Sequence, residues 1–255
     1  MRELVERLKQ KDARVTVLTG AGVSAASGVP TFRGADGLWS NFRPEALTTA
    51  EAFGRDPKLV WEWYAWRREN VAACQPNAAH EVLARWSRER GCTVVTQNVD
   101  DLHLRAGTEG LVRLHGSLWE LRCGASLAPP EWPTATASHD CAAEWRDESV
   151  PLGALPPRCA GCGGLARPAI VWFGEALRAG DLEQALASTR CDLFITCGTS
   201  SLVYPAAGLV HEARTQGAMT AEINPEATPA SAAVDIAIRG AAEAVLPRLD
   251  LLLAP

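Results

Sequence analysis

The stretch that most restricts the fold is residues 14–34, which read RVTVLTGAGVSAASGVPTFRG. A β-branched run that ends in closely spaced glycines is typical of a buried strand that turns tightly into a helix. Gly20, Gly22 and Ala25 fit the G-x-G-x-x-G/A fingerprint, in which small residues let backbone N–H groups approach a pyrophosphate. A plain strand-to-helix turn would need the same residues. The loop that follows, with Pro30, is not typical of the fingerprint.

The rest of the chain alternates apolar, strand-like runs with amphipathic helical patterns. The runs cover residues 92–98, 169–174, 192–200 and 218–224, and the helical patterns cover 76–90, 180–189, 204–216 and 241–253. This alternation predicts an α/β fold with a Rossmann-like, doubly wound parallel sheet. In such a sheet the ligand binds at the carboxyl ends of the strands.

Two segments interrupt the alternation and predict insertions. We expect the Rossmann-like, dinucleotide-binding domain to comprise residues 1–36, 76–121 and 166–255. Residues 37–75 are rich in Trp and read as a helical insertion. Residues 122–165 hold several prolines and four of the eight cysteines but no periodicity. Since a structureless loop of that length is unusual inside a domain, we expect a small Cys-rich, zinc-ribbon-like module there.

Charge and hydropathy indicate which partners and compartments to expect. The net charge of −5 and pI near 5.6 give no bulk attraction to nucleic acid or to an anionic membrane. No apolar run reaches the roughly 18–20 residues of a membrane span, and the first 12 residues read as an amphipathic helix. Eight cysteines without a secretory pattern favour a reducing cytoplasm. The oligomeric state is open, and a monomer is compatible with the sequence.

Polar residues after the second strand-like run are candidate site residues. Gln97, Asn98 and Asp100 need hydrogen-bond partners if they are buried. A capped strand-to-helix turn, with Asp100 or Asp101 as the cap, would also explain them. His115 lies between apolar residues in RLHGS, where a lone histidine is more often structural than catalytic.

Six segments occur in one order: GAGVSAASGVPTFRG, TQNVDDLHLRAG, LHGSLWELRC, RPAIVWFGE, GTSSLVYPAAGL and EINPE. Together they resemble the sirtuin family of NAD-dependent protein lysine deacylases, over about residues 10–250. The resemblance implies that the chain uses NAD to remove acyl groups from lysine side chains of proteins. The products would be nicotinamide, 2′-O-acyl-ADP-ribose and free lysine.

The resemblance also implies which residues bind NAD. They are Gly20, Ala21, Gly22, Ser24, Thr31, Phe32, Arg33, Trp39, Gln97, Asn98, Val99, Asp100, Gly198, Thr199, Ser200, Asn224, Pro225, Glu226 and Ala242. In the family the loop after the glycine turn closes over NAD, which accounts for the unusual continuation after Pro30. The chemistry of the residues agrees, because backbone N–H groups and an Arg33 clamp suit an anion and Phe32 suits the exclusion of water. The family more often has Gly or Glu where this chain has Asp101, a departure that we do not expect to matter.

By the same resemblance, His115 is the catalytic residue. The family's reaction expels nicotinamide while the acyl oxygen attacks the ribose C1′. A base must then activate the ribose 2′-hydroxyl, directly or through the 3′-hydroxyl. Histidine titrates near neutral pH and therefore suits this role.

The substrate peptide is expected to add as an extended strand between two edges, which binds backbone and reads little sequence. The residues expected at these edges are Val171, Trp172, Phe173, Gly174, Glu175, Val203 and Tyr204. Tyr64 and Arg67 match a Tyr-x-x-Arg pair that is typical of one branch of the family, the class III enzymes of bacterial type. Members of that branch remove succinyl, malonyl and glutaryl groups. An arginine fork beside a phenol is sound chemistry for the distal carboxylate of such a chain. Deacetylation should persist, since a small neutral acyl group fits the same tunnel.

The Cys-rich module departs from the family, which commonly holds a structural zinc with two cysteine pairs. Cys159 and Cys162 form one intact pair, but in the other Cys123 is followed by Ser126 where a second cysteine is expected. Structural zinc is almost always four-coordinate. We expect Cys141 to complete the set, with His139 as a second candidate. The alternative is that the metal has been lost and packing holds the module.

Three other functions compete with deacylation. An NAD hydrolase or ADP-ribosyltransferase would use the same NAD site but would not need a peptide cleft. A hydride-transfer dehydrogenase would need an acidic ribose-binding residue at the end of a second strand near position 40, which LWSNFRPEAL does not supply. A catalytically silent NAD-binding module would not need His115, Asn98 and Asp100 together.

Overall fold

The computed structural model describes residues 2–10, 12–31, 43–127 and 141–253. Over these residues the strands are β1 Val15–Thr19, β2 Thr93–Thr96, β3 Val112–Arg113, β4 Gly116–Cys123, β5 Glu144–Arg146, β6 Ala166–Ile170, β7 Leu193–Cys197, β8 Met219–Asn224 and β9 Ile236–Arg239. The helices are α1 Arg2–Lys9, α2 Pro44–Leu47, α3 Ala50–Arg55, α4 Pro57–Ala73, α5 Ala78–Arg90, α6 Leu102–Arg105, α7 Ala179–Ser188, α8 Leu209–Thr215 and α9 Ala242–Leu251.

The main sheet has six strands in the order β3-β2-β1-β7-β8-β9, and every neighbouring pair is parallel. The central strand β1 pairs Val17 with Val94 of β2 on one side and with Ile195 of β7 on the other. The chain proceeds from β1 toward β2 but from β7 toward β8, so the crossovers diverge between β1 and β7. This confirms the predicted doubly wound sheet and places its switch point, where such sheets bind ligands, between β1 and β7.

Helices cover both faces of this sheet because successive side chains of each strand point to opposite sides. On one face Val17 packs in a cluster with Leu83 of α5 and Leu246 of α9. On the other face Leu18 packs in a cluster with Leu209 of α8. All five of these side chains are buried, which explains why the β-branched run of β1 has apolar residues on both of its faces.

A second, three-stranded antiparallel sheet has the order β5-β4-β6. The prediction of a strand over 169–174 within the main sheet is wrong, because β6 is Ala166–Ile170 and pairs with β4 of the second sheet. The predicted domain division remains a prediction. Its boundary after residue 121 falls within β4, and its boundary before residue 166 lies between β5 and β6, which both pair with β4.

The helical insertion packs over this second sheet. Helix α4 begins where Asp56 Oδ1 accepts the backbone N–H of Leu59 at 2.9 Å, with Pro57 at its first turn. Its buried face supplies Trp61, whose indole N–H donates to the Ala166 carbonyl of β6 at 2.8 Å. The aromatic cluster formed there also contains Tyr64 and fixes α4 above the cavity described below.

The predicted helices lie close to their observed positions. The N-terminal amphipathic pattern forms α1, and the patterns at 76–90, 180–189 and 241–253 form α5, α7 and α9. Helix α8 begins at Leu209, five residues later than predicted, after a short 3₁₀ turn. None of the helices in the described ranges is long and apolar enough to cross a membrane.

Candidate active site

A cavity of about 650 Å³ lies at the carboxyl ends of β1, β7 and β8 and extends to α4 and to the loop after β6. Most residues predicted to bind NAD line it: Gly20, Ala21, Gly22, Thr31, Gln97, Asn98, Val99, Gly198, Thr199, Ser200, Asn224, Pro225, Glu226 and Ala242. His115 lines it as well. So do the residues predicted for the substrate: Tyr64, Arg67, Val171, Trp172, Phe173, Gly174, Glu175, Val203 and Tyr204.

Two other described residues that were predicted to bind NAD are not among those that line this cavity. Ser24 and Asp100 are buried in its wall, and they are described below. Phe32, Arg33 and Trp39 lie outside the residues that the structure describes.

The glycine turn after β1 contacts the end of β7 directly. The N–H of Gly20 donates to the Cys197 carbonyl at 3.1 Å, and that of Gly22 donates to the Gly198 carbonyl at 2.8 Å. A Cβ on Gly22 would lie 2.8 Å from that same carbonyl oxygen, and a Cβ on Gly198 would lie 2.5 Å from the Val23 nitrogen. The glycines are therefore required for the approach of the two strand ends, in addition to any approach of a ligand.

Ser24 and Asp100 form a buried network behind the cavity wall. The Ser24 hydroxyl donates to Asp100 Oδ2 at 2.7 Å, and the Asn98 amide donates to Ser24 Oγ at 3.2 Å and to the Gly20 carbonyl at 3.0 Å. Burial raises the pKa of Asp100, and hydrogen bonds from Leu102 and Ser24 partly offset that shift. The network holds the Asn98 amide in place at the cavity surface.

His80 extends this network and was not predicted from the sequence as a site residue. Its Nδ1 accepts the backbone N–H of Asn77, so Nε2 carries the proton and donates to Ser24 Oγ at 3.3 Å. The His103 ring lies 4.8 Å away, with its Nε2 3.0 Å from Thr19 Oγ1. Burial lowers the pKa of His80 to about 4 and that of His103 to about 3, so both rings are neutral at pH 7. Nothing in the spacing of these residues distinguishes them from ordinary core histidines.

His115 follows β3 and is oriented by one hydrogen bond. Its Nδ1 lies 2.9 Å from the Gln97 carbonyl oxygen, which can only accept, so Nδ1 carries the proton. In the neutral ring Nε2 is therefore unprotonated and available as a base. Burial lowers the pKa of His115, and the bond to Gln97 partly offsets the shift. The ring is thus in its basic form at neutral pH.

Tyr64 and Arg67 lie one turn apart on α4, and both side chains are buried at the cavity. The Arg67 guanidinium lies 5.0 Å from the centroid of the Trp63 ring. Burial lowers the pKa of Arg67, while Tyr64 and Asp100 act in the opposite direction. Burial raises the pKa of Tyr64 to about 12. The pair therefore presents a cation and a neutral phenol in an apolar environment, which suits a carboxylate.

The segment after β6 is a loop held by specific contacts. The N–H groups of Val171 and Phe173 donate to the His115 and Thr48 carbonyls, each at 3.0 Å. Glu175 accepts from the Trp172 N–H at 2.9 Å and from the Arg167 guanidinium at 2.8 Å. The Glu175 carboxylate thus anchors the loop. It is occupied by these two hydrogen bonds, although Glu175 was predicted to contact the substrate.

The exposed edges of the cleft are apolar. Phe173 is 44% exposed and Tyr204 is 72% exposed, so both present aromatic surface beside the cavity. Thr48 and Leu202 also line the cavity, and neither was predicted as a site residue. Thr48 lies outside the six segments that carry the resemblance, whereas Leu202 lies within GTSSLVYPAAGL.

Asp101 makes more contacts than the sequence suggested. It has a left-handed backbone with φ of 61°, where a glycine would be unstrained. Its buried carboxylate accepts from the Ser117 hydroxyl and from Arg146 of β5, each at 2.9 Å, and lies 3.6 Å from Arg113. The segment that carries Asn98 is therefore tied directly to the second sheet.

The four cysteines predicted as metal ligands come together in the second sheet and its loops. The sulfurs of Cys123, Cys141, Cys159 and Cys162 all lie within 4.8 Å of one another, with closest pairs at 3.6 and 3.7 Å. A tetrahedron with Zn–S bonds of about 2.3 Å has edges of about 3.8 Å, so the thiols fit zinc. Gly161 leaves room for this arrangement, because a Cβ there would lie 3.0 Å from the Cys141 sulfur. His139 lies outside the described residues.

The chain combines a cavity at the switch point of a Rossmann-like sheet with a module that holds four clustered thiols. Comparison with known proteins identifies the family to which this combination belongs. Residues 20–205 match the Sir2 family. The chain belongs to the Sir2 family.

Individual relatives are similar over most of their length. An NAD-dependent protein deacylase of Aquifex aeolicus is 45% identical over 89% of both chains, and one of Mycolicibacterium paratuberculosis is 46% identical over 92% of this chain and 96% of its own. Among solved structures, a mutant Sir2 homologue with ADP-ribose superimposes with a TM-score of 0.89 at 41% identity, covering 99% of this chain and 96% of that one. A Sir2 homologue complexed with NAD gives 0.86 at 41% identity, covering 99% and 93%.

Proposed function

We propose that this protein is an NAD-dependent protein lysine deacylase. The observation that carries the proposal is that one cavity joins the glycine turn, the unprotonated nitrogen of His115 and the Tyr64–Arg67 pair. The curated relatives named above are NAD-dependent protein deacylases, and they match the chain nearly end to end. The fold, the site and the relatives therefore support the same reaction.

The wall of the cavity suits NAD. The strand ends supply the Gly22 turn, the Thr199 hydroxyl and the Asn224 amide, which are groups that suit the phosphates and ribose hydroxyls of a dinucleotide. Asn98, held by Ser24, is placed for a carboxamide such as that of nicotinamide. NAD, when bound, supplies an activated ribose carbon to which an acyl oxygen can be transferred.

His115 would act as the general base of the reaction. Its Nδ1 is occupied by the Gln97 carbonyl, so Nε2 is the nitrogen that accepts a proton from a ribose hydroxyl. The lowered pKa keeps this nitrogen free of a proton at neutral pH. No additional residue is needed to set the tautomer, because a backbone carbonyl sets it.

We infer that the acyl groups include succinyl and malonyl as well as acetyl. Tyr64 and Arg67 together offer a phenol and a guanidinium at the α4 side of the cavity, which favours an acyl chain that ends in a carboxylate. A solved Sir2 mutant holds a deacetylated p53 peptide and 3′-O-acetyl ADP-ribose; it has 29% identity and a TM-score of 0.81 and covers 98% of this chain and 96% of that one. An acylated peptide is accordingly the substrate that we propose for this chain.

We further propose that the four-cysteine cluster binds one zinc ion, which stabilises the module and takes no part in the reaction. The domain organisation that we propose comprises an NAD-binding domain, a helical insertion at the acyl pocket and a zinc module that includes β4 to β6. None of the eight cysteines forms a disulfide, which supports a reducing compartment such as the cytoplasm. Neither nucleic acid nor a membrane is a proposed partner.

One experiment tests the proposal against its main alternative. Purified protein is incubated with NAD and with one peptide carrying acetyl-, malonyl-, succinyl- or glutaryl-lysine, and products are measured by mass spectrometry. We expect nicotinamide, free lysine and acyl-ADP-ribose, formed only when acylated peptide is present. Nicotinamide release at the same rate without peptide would instead identify an NAD hydrolase or ADP-ribosyltransferase. The His115→Ala variant controls for contaminating activity.

A further inference from the structure

The indole of Trp172 contacts the phenol of Tyr64, and neither the family resemblance nor the peptide cleft accounts for this contact. Trp172 Nε1 donates to the Tyr64 hydroxyl oxygen at 2.8 Å. Both side chains are buried, with 2% of Trp172 and 1% of Tyr64 exposed. Trp172 therefore presents its backbone to the loop beside the cleft and its side chain to the acyl pocket.

The chemistry of the two groups decides the direction of this hydrogen bond. An indole nitrogen is only a donor, whereas a phenol oxygen carries one proton and accepts through its lone pairs. Since Trp172 occupies a lone pair of the Tyr64 oxygen, the phenolic proton points away from the indole. The pKa of Tyr64, raised to about 12 by burial, keeps that proton on the oxygen at neutral pH.

The indole is itself fixed from several sides. The Arg167 guanidinium lies 3.5 Å from the Trp172 ring centroid, and the Phe53 ring lies 5.5 Å away in a tilted arrangement. The backbone N–H of Trp172 donates to Glu175, which also binds Arg167. The ring therefore cannot turn its N–H away from Tyr64 without disrupting these contacts.

We propose that Trp172 is a positioning residue for acyl specificity. Its indole N–H fixes the Tyr64 hydroxyl so that the phenolic proton is offered to the terminal carboxylate of an acidic acyl chain beside Arg67. An acetyl group has no such carboxylate and gains nothing from this orientation. The inference rests on the proposed deacylase function and deepens it.

A double-mutant cycle tests the proposal with wild type, Trp172→Phe, Tyr64→Phe and the double variant. The readout is the ratio of kcat/KM for succinyl-lysine to that for acetyl-lysine in one peptide. We expect Trp172→Phe to lower this ratio about 5- to 10-fold, mainly through KM for the succinyl peptide, as expected for one lost hydrogen bond. In the Tyr64→Phe background the same change should alter the ratio less than about 2-fold, because the hydroxyl that it orients is absent.

Two further measurements protect the test against a variant that folds poorly. β-(3-benzothienyl)alanine at position 172 keeps the shape of the indole without its N–H and should lower the ratio as Trp172→Phe does. The chain contains two tyrosines, Tyr64 and Tyr204, so 3-fluorotyrosine labelling gives one ¹⁹F resonance for each. Either replacement at 172 should shift the Tyr64 resonance and leave that of Tyr204 in place.

The outcomes separate this inference from the proposed function. A wild type without peptide-dependent deacylation overturns both. A wild type that removes succinyl groups, with a ratio that folded Trp172 variants leave unchanged, overturns the role of Trp172 alone. An equal loss in the presence and absence of the Tyr64 hydroxyl also overturns it, since Trp172 would then act through packing.

Discussion

Cys141→Ser tests whether a cysteine far from the usual position completes the metal site. The Cys141 sulfur lies 3.7 Å from that of Cys159, close to the edge of a zinc–thiolate tetrahedron. Structural zinc sites bind with roughly 10–16 kcal/mol, so one ligand of four contributes about 2.5–4 kcal/mol. A serine hydroxyl is a poor replacement, and the substitution should weaken zinc binding roughly 10²- to 10³-fold.

The assay measures zinc per chain in protein purified without chelator and then titrates each protein with a chromophoric zinc chelator. We expect about one zinc per wild-type chain, and a metal that the chelator removes from the Cys141 variant at far lower concentration. Cys74→Ser is the matched control, because Cys74 is a buried thiol outside the cluster that donates to the Asn70 carbonyl as a serine can. Equal zinc affinity in wild type and Cys141→Ser would refute the assignment, as would active wild type without zinc.

Three further predictions concern the active site and its pH dependence. His115→Ala should lower the rate of peptide deacylation, measured as free lysine, about 10²-fold or more with an unchanged thermal midpoint, and near wild-type turnover would exclude it as the base. Arg67→Met should raise KM for succinyl-lysine roughly 10- to 100-fold relative to acetyl-lysine, and Tyr64→Phe should act more weakly in that direction; equal losses on both peptides would indicate structural support. Because burial lowers the pKa of His80 and His103, the unfolded chain binds more protons than the folded one below pH 6.5. The stability gained by keeping these two histidines neutral is therefore fully present above pH 6.5, and the free energy of unfolding should decrease as the pH falls toward 4. A urea-unfolding midpoint that does not decrease from pH 7 to pH 5 would contradict this.

The elements that could be predicted are those whose residues carry a local signal. Strand β1 and its turn follow from a β-branched run and two glycines within eight residues. Helix α4 follows from Asp56 and Pro57 at its start and from a long segment without helix breakers. The four thiols could be grouped because few residue types bind zinc and the module contains four cysteines.

The elements that could not be predicted depend on contacts between distant residues. Strand β4 mixes charged and apolar residues, and it is a strand because β5 and β6 pair with it from more than 20 residues away. Ser24 and Asp100 remain predicted NAD-binding residues, but the hydrogen bond between their buried side chains could not be predicted, because a motif does not show which of its residues contact one another. The role of Asp101 required the position of Arg146, which no spacing supplies.

The position of Cys141 shows how weakly chain length restricts where the fourth ligand of such a site can lie. The family's usual pair encloses a short turn, whereas Cys123 and Cys141 are separated by 18 positions. By the logarithmic dependence of loop closure on length, widening a separation of 3 positions to 18 raises the entropic cost by about 1.6 kcal/mol. That is small beside the roughly 10–16 kcal/mol of a structural zinc site. A zinc site can therefore take its fourth ligand from a distant part of the same module at a small entropic cost, so a search for two C-x-x-C pairs overlooks clusters that are complete in three dimensions.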